Sequence, residues 1–136
     1  MMIYLDYNAT TPIDKEVADS MLPYLYGNFG NPSSGHKLGK EAKEAIESSR
    51  RKVANLLNCN SEEIIFTSGG SEANNYVLKG VAETLKKKGN HIITSEIEHP
   101  SIINPCKYLE RLGYKVTYLP VDNTCRVNPK DVEKAI

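Results

Sequence analysis

Leu38, Ala42, Ala45, Ile46, Val53, Leu56 and Leu57 recur at three- and four-residue intervals, with Lys40, Lys43, Glu44, Glu47, Arg50 and Arg51 between them. That is the period of a helix with one apolar and one solvated face, and it predicts a helix from His36 to Asn58. Lys40 with Glu44, and Glu47 with Arg51, have the four-residue spacing of surface ion pairs. Ala73, Val77, Val81 and Leu85 mark a second helix, ended by Lys86-Lys87-Lys88 and a Gly89 cap. Asp14 as N-cap before Val17, Met21 and Leu25 predicts a third, which Pro23 kinks or shortens. Pro100 opens a fourth, closed by Gly113, and Asn128-Pro129 opens a fifth. Among these helices lie short apolar runs, Ile64–Phe66, His91–Thr94 and Lys115–Leu119, besides a strand-like start at Ile3–Leu5. Apolar runs without alternation suit strands covered on both faces. The resulting β-α-β-α-β-α order predicts an α/β fold, three αβα layers around a mostly parallel sheet. Gly27–Gly35 is a long loop of structure breakers, in which Phe29 argues for docking onto the rest of the chain.

The strand–turn–helix from Ile64 to Asn75 carries the chemistry. Thr67-Ser68-Gly69-Gly70-Ser71 joins the run Ile64–Phe66 to the Ala73 helix. The N–H groups of a first helical turn point outward, and the helix dipole favours an anion there. Adjacent glycines let an oxyanion approach the backbone, and the Ser68 and Ser71 hydroxyls can add hydrogen bonds. A nucleotide P-loop requires Lys after its last glycine, where Ser71 and Glu72 stand. The dinucleotide fingerprint requires three spaced glycines. A monophosphate cofactor such as pyridoxal phosphate needs only a few N–H groups and a hydroxyl. The same residues also suit a plain tight turn with Ser71 as N-cap. The Ser95–His99 turn falls at the carboxyl end of another strand, where parallel sheets bind ligands, and this favours the ligand reading.

Composition narrows the classes. The chain has 136 residues, the length of one ordinary domain, with 17 basic and 17 acidic side chains and a net charge of zero. No basic stripe suits nucleic acid and no apolar run suits a membrane span; Met1-Met2-Ile3-Tyr4 lacks the features of a secretory signal. Cys59, Cys106 and Cys125 are odd in number and irregular in spacing, as for reduced thiols in a cytoplasm. They share no zinc-ligand spacing with His36, His91 or His99, so no metal is expected.

With these elements placed, the chain resembles the cysteine desulfurase and selenocysteine lyase group of the class V aminotransferase superfamily, fold-type I pyridoxal-phosphate enzymes. The resemblance lies in Tyr4–Pro12, Phe29–Ser34, Ile64–Asn75 and Glu98-His99, in the family's order. It implies that residues 1–136 form the N-terminal segment and first half of the large cofactor-binding domain. It also implies a cytoplasmic homodimer that takes sulfur from L-cysteine, leaving alanine and an enzyme persulfide. The sulfur would pass to an acceptor or scaffold protein for iron–sulfur clusters or thiolated products. By the resemblance Gly70 and Ser71 bind the phosphate of pyridoxal 5′-phosphate. His99 stacks on its ring and does acid–base work, a role that suits a flat side chain titrating near neutrality. Asn8 suits either the substrate pocket or a turn.

Three parts of the family pattern match nothing in this chain: the lysine bound covalently to the cofactor, the aspartate facing the pyridine nitrogen, and the sulfur-accepting loop cysteine. Ser34-Gly35-His36-Lys37 has the look of the family's lysine motif, yet it opens the first helix described above, where Lys37 reads as a solvated first-turn residue. Cys59 follows a helix C-terminus, whose negative end disfavours a thiolate. The chain alone is expected to lack desulfurase activity. A non-catalytic phosphate-binding remnant, an accessory subunit and a selenocysteine lyase are the alternatives.

Overall fold

The computed structural model describes residues 3–136. Met1 and Met2, part of the stretch read for a secretory signal, lie outside the described residues. The chain divides into two compact units, Met1–Ile65 and Phe66–Ile136.

In the first unit, α1 spans Lys15–Tyr26, and the Asp14 carboxylate accepts the Glu16 N–H at 2.8 Å. Pro23 does not shorten this helix, which continues to Tyr26. A proline lacks the N–H that would bond one turn upstream and its ring crowds the carbonyl there, but its own carbonyl still accepts, from Gly27 and Asn28 at 3.0 and 2.8 Å. The next helix, α2, spans Lys37–Leu57, with His36 as N-cap and Asn58 in the left-handed conformation as C-cap. Its ion pairs differ from the predicted ones. Arg51 reaches Glu44 at 2.6 Å, two turns away, and Arg50 pairs with Glu47 at 3.2 Å. Arg50 also donates to the Ile64 carbonyl, so its guanidinium ties the chain after α2 back onto the helix. Surface pairs differ little in energy, and such an extra bond selects among them.

The loop before α2 is docked, but not through Phe29, which is 76% exposed. Backbone meets backbone instead. A Cβ on Gly30 would collide with the Leu38 carbonyl, and one on Gly39 with the Ser34 carbonyl and, at 2.6 Å, the Asn31 oxygen.

No strand forms at Ile3–Leu5 or at Ile64–Phe66. After a 3-10 turn at Ser61–Glu63, Ile64 is extended, with φ −95° and ψ 124°. Ile65 and Phe66 are 57% and 50% exposed. Extended backbone becomes a strand only beside a partner strand, and none runs alongside among the described residues.

The second unit runs α3 (Gly70–Leu85), β1 (His91–Ser95), α4 (Pro100–Arg111), β2 (Lys115–Leu119) and α5 (Pro129–Ala135). The two strands pair in parallel from His91↔Lys115 to Ser95↔Leu119. This is the expected α/β plan, with two strands in the sheet in place of three. Helix α3 lies against α4, and α4 and α5 lie against β2. The core of this unit joins Ala82, Leu109 and Tyr114, with Ile92 against them. Tyr114 Oη donates to the Ala82 carbonyl at 2.7 Å in the last turn of α3. Burial on α3 therefore falls on Ala82, one position beyond the predicted stripe; Val77 and Val81 stay half exposed. The helix ends at Leu85, before the three lysines, and the Gly89 N–H reaches the Leu85 carbonyl at 3.2 Å. Gly113 has φ 88° just after α4, a left-handed position that suits glycine. After β2, Val121 and Val127 form an antiparallel bridge around a tight turn. Among the described residues no helix is long and apolar enough to cross a membrane.

Candidate functional site

The N-terminus of α3 is built by Gly69 and Glu72. Gly69, not Ser71, is the N-cap, with φ 159° and ψ 179°. Ser71 is the second helical residue, so its side chain is not used for capping. The Glu72 carboxylate reaches back to the Ser68 N–H at 2.6 Å. Hydrogen bonds from the Ser68 hydroxyl and then from its N–H hold the Glu72 carboxyl below the usual glutamate range. Ser68 is thereby committed to Glu72. Ala73 makes the first helical bond, to the Gly69 carbonyl at 3.1 Å. Among the described residues no protein group accepts from the N–H of Gly70, Ser71 or Glu72. Where a Cβ would stand on Gly69 or Gly70 there is nothing within 4 Å. The first turn is open to an anion, with the Ser71 hydroxyl beside it.

His99 is the N-cap of α4, ahead of Pro100 at the first helical position. Its Nδ1 accepts the Ser101 N–H at 3.1 Å and stands 2.8 Å from Ser101 Oγ. Upstream, Ser95 Oγ donates to Glu98 at 2.9 Å and the Glu96 N–H bonds the Leu119 carbonyl at 3.0 Å. The turn carrying His99 is thus fastened to both strand ends.

Ser71 and His99 line one open cavity of about 380 Å³, together with Asn75, Lys79, Ser101 and Tyr108. Gly70 is not part of its lining; it stands at the entrance of α3 next to Ser71. The Lys79 ammonium lies 5.0 Å from the centre of the Tyr108 ring. Asn75 and Lys79 were legible as partners of Ser71, because steps of four place them on one face of a helix. Ser101 and Tyr108 follow from His99 only once α4 is known to lie beside α3.

The remaining candidates stay apart from this cavity. Lys37 opens α2 with its side chain 87% exposed, 3.8 Å from Glu41. Asn8 lies in a turn closed by the Ala9 N–H on the Asp6 carbonyl at 3.1 Å. Cys106 is buried, and burial first, then the charges of Glu110 and Glu98, pushes its thiol above the usual range. Cys125 is exposed in a left-handed turn with φ 62°. Among the described residues no group of three metal-ligating side chains converges.

A family model described as aminotransferase class-V matches residues 3–136. The chain is 54% identical over 134 residues to the cysteine desulfurase IscS of Dictyoglomus turgidum, covering 98% of this chain and 34% of that protein. It is 49% identical to the cysteine desulfurase IscS of Methanosarcina thermophila, covering 98% of this chain and 33% of that one. Among solved structures, a NifS-like protein superposes with a TM-score of 0.93 at 42% identity, covering 100% of this chain and 37% of the other. SspA, solved in complex with cysteine, superposes with a TM-score of 0.90 at 41% identity, covering 98% of this chain and 38% of the other. The chain spans about a third of the length of the curated relatives it matches.

Proposed function

The chain belongs to the class-V aminotransferase family, and from that premise we propose that it is the N-terminal part of a pyridoxal-phosphate-dependent cysteine desulfurase. The observation that carries the proposal is the cavity that Ser71, at the open first turn of α3, shares with His99, at the cap of α4. The cofactor fits these residues. An open helical turn of N–H donors suits its phosphate, and the space at Gly69 and Gly70 admits an oxyanion against the backbone. Gly70 and Ser71 would hold the phosphate through N–H groups and the Ser71 hydroxyl. Glu72 serves differently: by drawing Ser68 to itself it shapes the loop before the helix. His99 would lie against the pyridine ring. Its edge is engaged at Nδ1, and in-plane hydrogen bonds leave both faces of an imidazole free for stacking. The Nε2 side of the ring is then available to give or take a proton. When bound, the cofactor supplies the electron sink for breaking the bond between Cβ and sulfur of L-cysteine.

In this reading residues 1–136 are the first part of the large cofactor-binding domain of a cytoplasmic homodimer. The whole protein would pass sulfur to an acceptor or scaffold protein for iron–sulfur clusters or thiolated products. Support for a protein partner comes from α1, whose Val17, Met21 and Leu25 are 52%, 48% and 67% exposed. The covalent lysine and the sulfur-accepting thiol are not assigned to any residue of this chain. Lys37 is solvated and Cys106 is buried with a raised thiol.

Titration of the chain with inorganic phosphate and with pyridoxal phosphate, followed by amide chemical shifts, tests the site. Shifts should cluster at residues 68–73. Ser71→Ala should weaken binding about tenfold, the loss of one charge-assisted hydrogen bond worth ~1.5 kcal/mol. Shifts centred elsewhere overturn the reading. With cysteine and pyridoxal phosphate under reducing conditions, the chain alone should release no sulfide beyond a protein-free control.

A further inference from the structure

We propose that Asn74 is a positioning residue for His99, fixing the tautomer of its imidazole through Ser101. The proposal rests on the role given to His99 above.

Asn74 is on α3 and His99 caps α4; Ser101 connects them. Asn74 Nδ2 donates to Ser101 Oγ at 2.9 Å, across 27 residues of sequence. Ser101 Oγ stands 2.8 Å from His99 Nδ1, and the Ser101 N–H points at the same nitrogen at 3.1 Å. Hydroxyls and imidazoles can each donate or accept, so the chain of bonds could in principle run either way. The backbone N–H can only donate, which favours a lone pair at Nδ1, yet a hydroxyl accepting from an Nδ1 hydrogen would work against it. The donor to the hydroxyl therefore decides the outcome: with the hydroxyl donating as well, Nδ1 presents its lone pair and the ring's one proton resides on Nε2. Ser101 Oγ, having accepted from the Asn74 amide, turns its own hydrogen toward Nδ1. Every bond in the chain then runs in one direction, from α3 to the ring.

This assigns a task to Asn74 that neither helix formation nor packing requires. Asn is a mediocre residue for a helix interior, and this one is only half-buried. Its amide supplies the donor that orients the hydroxyl. A ring fixed with hydrogen on Nε2 is presented in a single protonation pattern and a single orientation to whatever lies against its face. Second partners of this kind set tautomers at catalytic histidines generally.

The test uses the chain as it is, with its histidines labelled with 15N, at a pH high enough to leave the imidazoles neutral. Two-bond 1H–15N correlations distinguish pyridine-type from pyrrole-type nitrogens, and His99→Gln identifies the His99 signals. Nδ1 should appear as the pyridine-type nitrogen and Nε2 as the pyrrole-type. Asn74→Asp replaces the donor by a carboxylate, which takes the Ser101 hydroxyl hydrogen and leaves an oxygen lone pair facing Nδ1. Both ring nitrogens should then move toward the averaged shifts of a mixed tautomer. Ser101→Ala should move them the same way, whereas Ser101→Thr, which keeps the hydroxyl, should restore the wild-type pattern. A wild-type ring protonated at Nδ1, or an Asn74→Asp spectrum with unchanged His99 nitrogens, overturns the proposal. Unchanged amide signals in β1 and β2 certify that each variant is folded. No cofactor enters this measurement, so its failure is distinct from failure of the phosphate titration.

Discussion

Replacing Tyr114 by Phe removes one oxygen from the core of the second unit and nothing else. The ring stays against Ala82, Leu109 and Ile92. What is lost is the 2.7 Å bond from Tyr114 Oη to the Ala82 carbonyl, where Tyr114 and Ala82 are each only 8% exposed. A hydrogen bond of this kind is worth ~0.5–1.5 kcal/mol net, and stranding a buried acceptor raises the loss toward ~1–3 kcal/mol. The carbonyl lies in the last turn of a helix, where unpaired acceptors concentrate. The expected destabilisation is about 1–2 kcal/mol. For a domain of 60–100 residues each kcal/mol lowers Tm by ~4–8 °C, and Phe66–Ile136 is of that size. Urea titration followed by near-ultraviolet circular dichroism should show a lower midpoint with an unchanged slope. Tyr114→Ala, which also deletes the ring, should cost about 3–5 kcal/mol. A Phe variant with the wild-type midpoint would refute the reasoning, since the hydroxyl would then be contributing nothing that water could not.

Gly39→Ala should destabilise the first unit by about 1–3 kcal/mol, because its Cβ meets the Asn31 and Ser34 carbonyls and backbone yields less readily than a side chain; a thermal melt with undiminished Tm would count against the docked loop. The Ser68 amide resonance should titrate with Glu72 at a midpoint below the ordinary glutamate value. Since the folded pKa is depressed, this contact contributes stability above the unfolded pKa and loses it as pH falls through the folded one; a midpoint at or above the ordinary value excludes it. Timed alkylation read by mass spectrometry should label exposed Cys125 before half-buried Cys59 and buried Cys106 last, the raised Cys106 thiol requiring higher pH. Early labelling of Cys106 would mean that the core around it opens.

The parts legible in the sequence were those that neighbouring residues decide. Helix α2 follows from its period, read from His36 to Asn58; the helix spans Lys37–Leu57 with those two residues as its caps, because caps act within one turn. Strand β2 ran over the predicted residues, Lys115–Leu119, between a Gly113 stop and a proline. Ile64–Phe66 has an equally apolar composition, yet a strand is a relation between two segments, and no local pattern supplies the second. The open turn before α3 was legible from Gly69-Gly70. The commitment of Ser68 to Glu72 was not, because a four-residue reach back from a helix depends on the turn's own geometry. Least legible was the link from Asn74 through Ser101 to His99, since it exists only after two helices have come together.

The register of the sheet bears on how this chain folds. Every paired position in the ladder joins residues 24 apart, as His91 does to Lys115. Half of that interval is α4, whose 12 residues shorten in advance the loop to be closed once the helix forms. A helix relaxes in about 0.1–1 μs, faster than strands usually find one another. Closure entropy grows only with the logarithm of loop length, and a pre-formed α4 lowers the effective length further. Parallel pairing, ordinarily slow because its partners are remote, becomes nearly local here. Substitutions that weaken α4 on its solvent side should therefore slow folding more than they speed unfolding, making β1-α4-β2 the nucleus around which Phe66–Ile136 assembles.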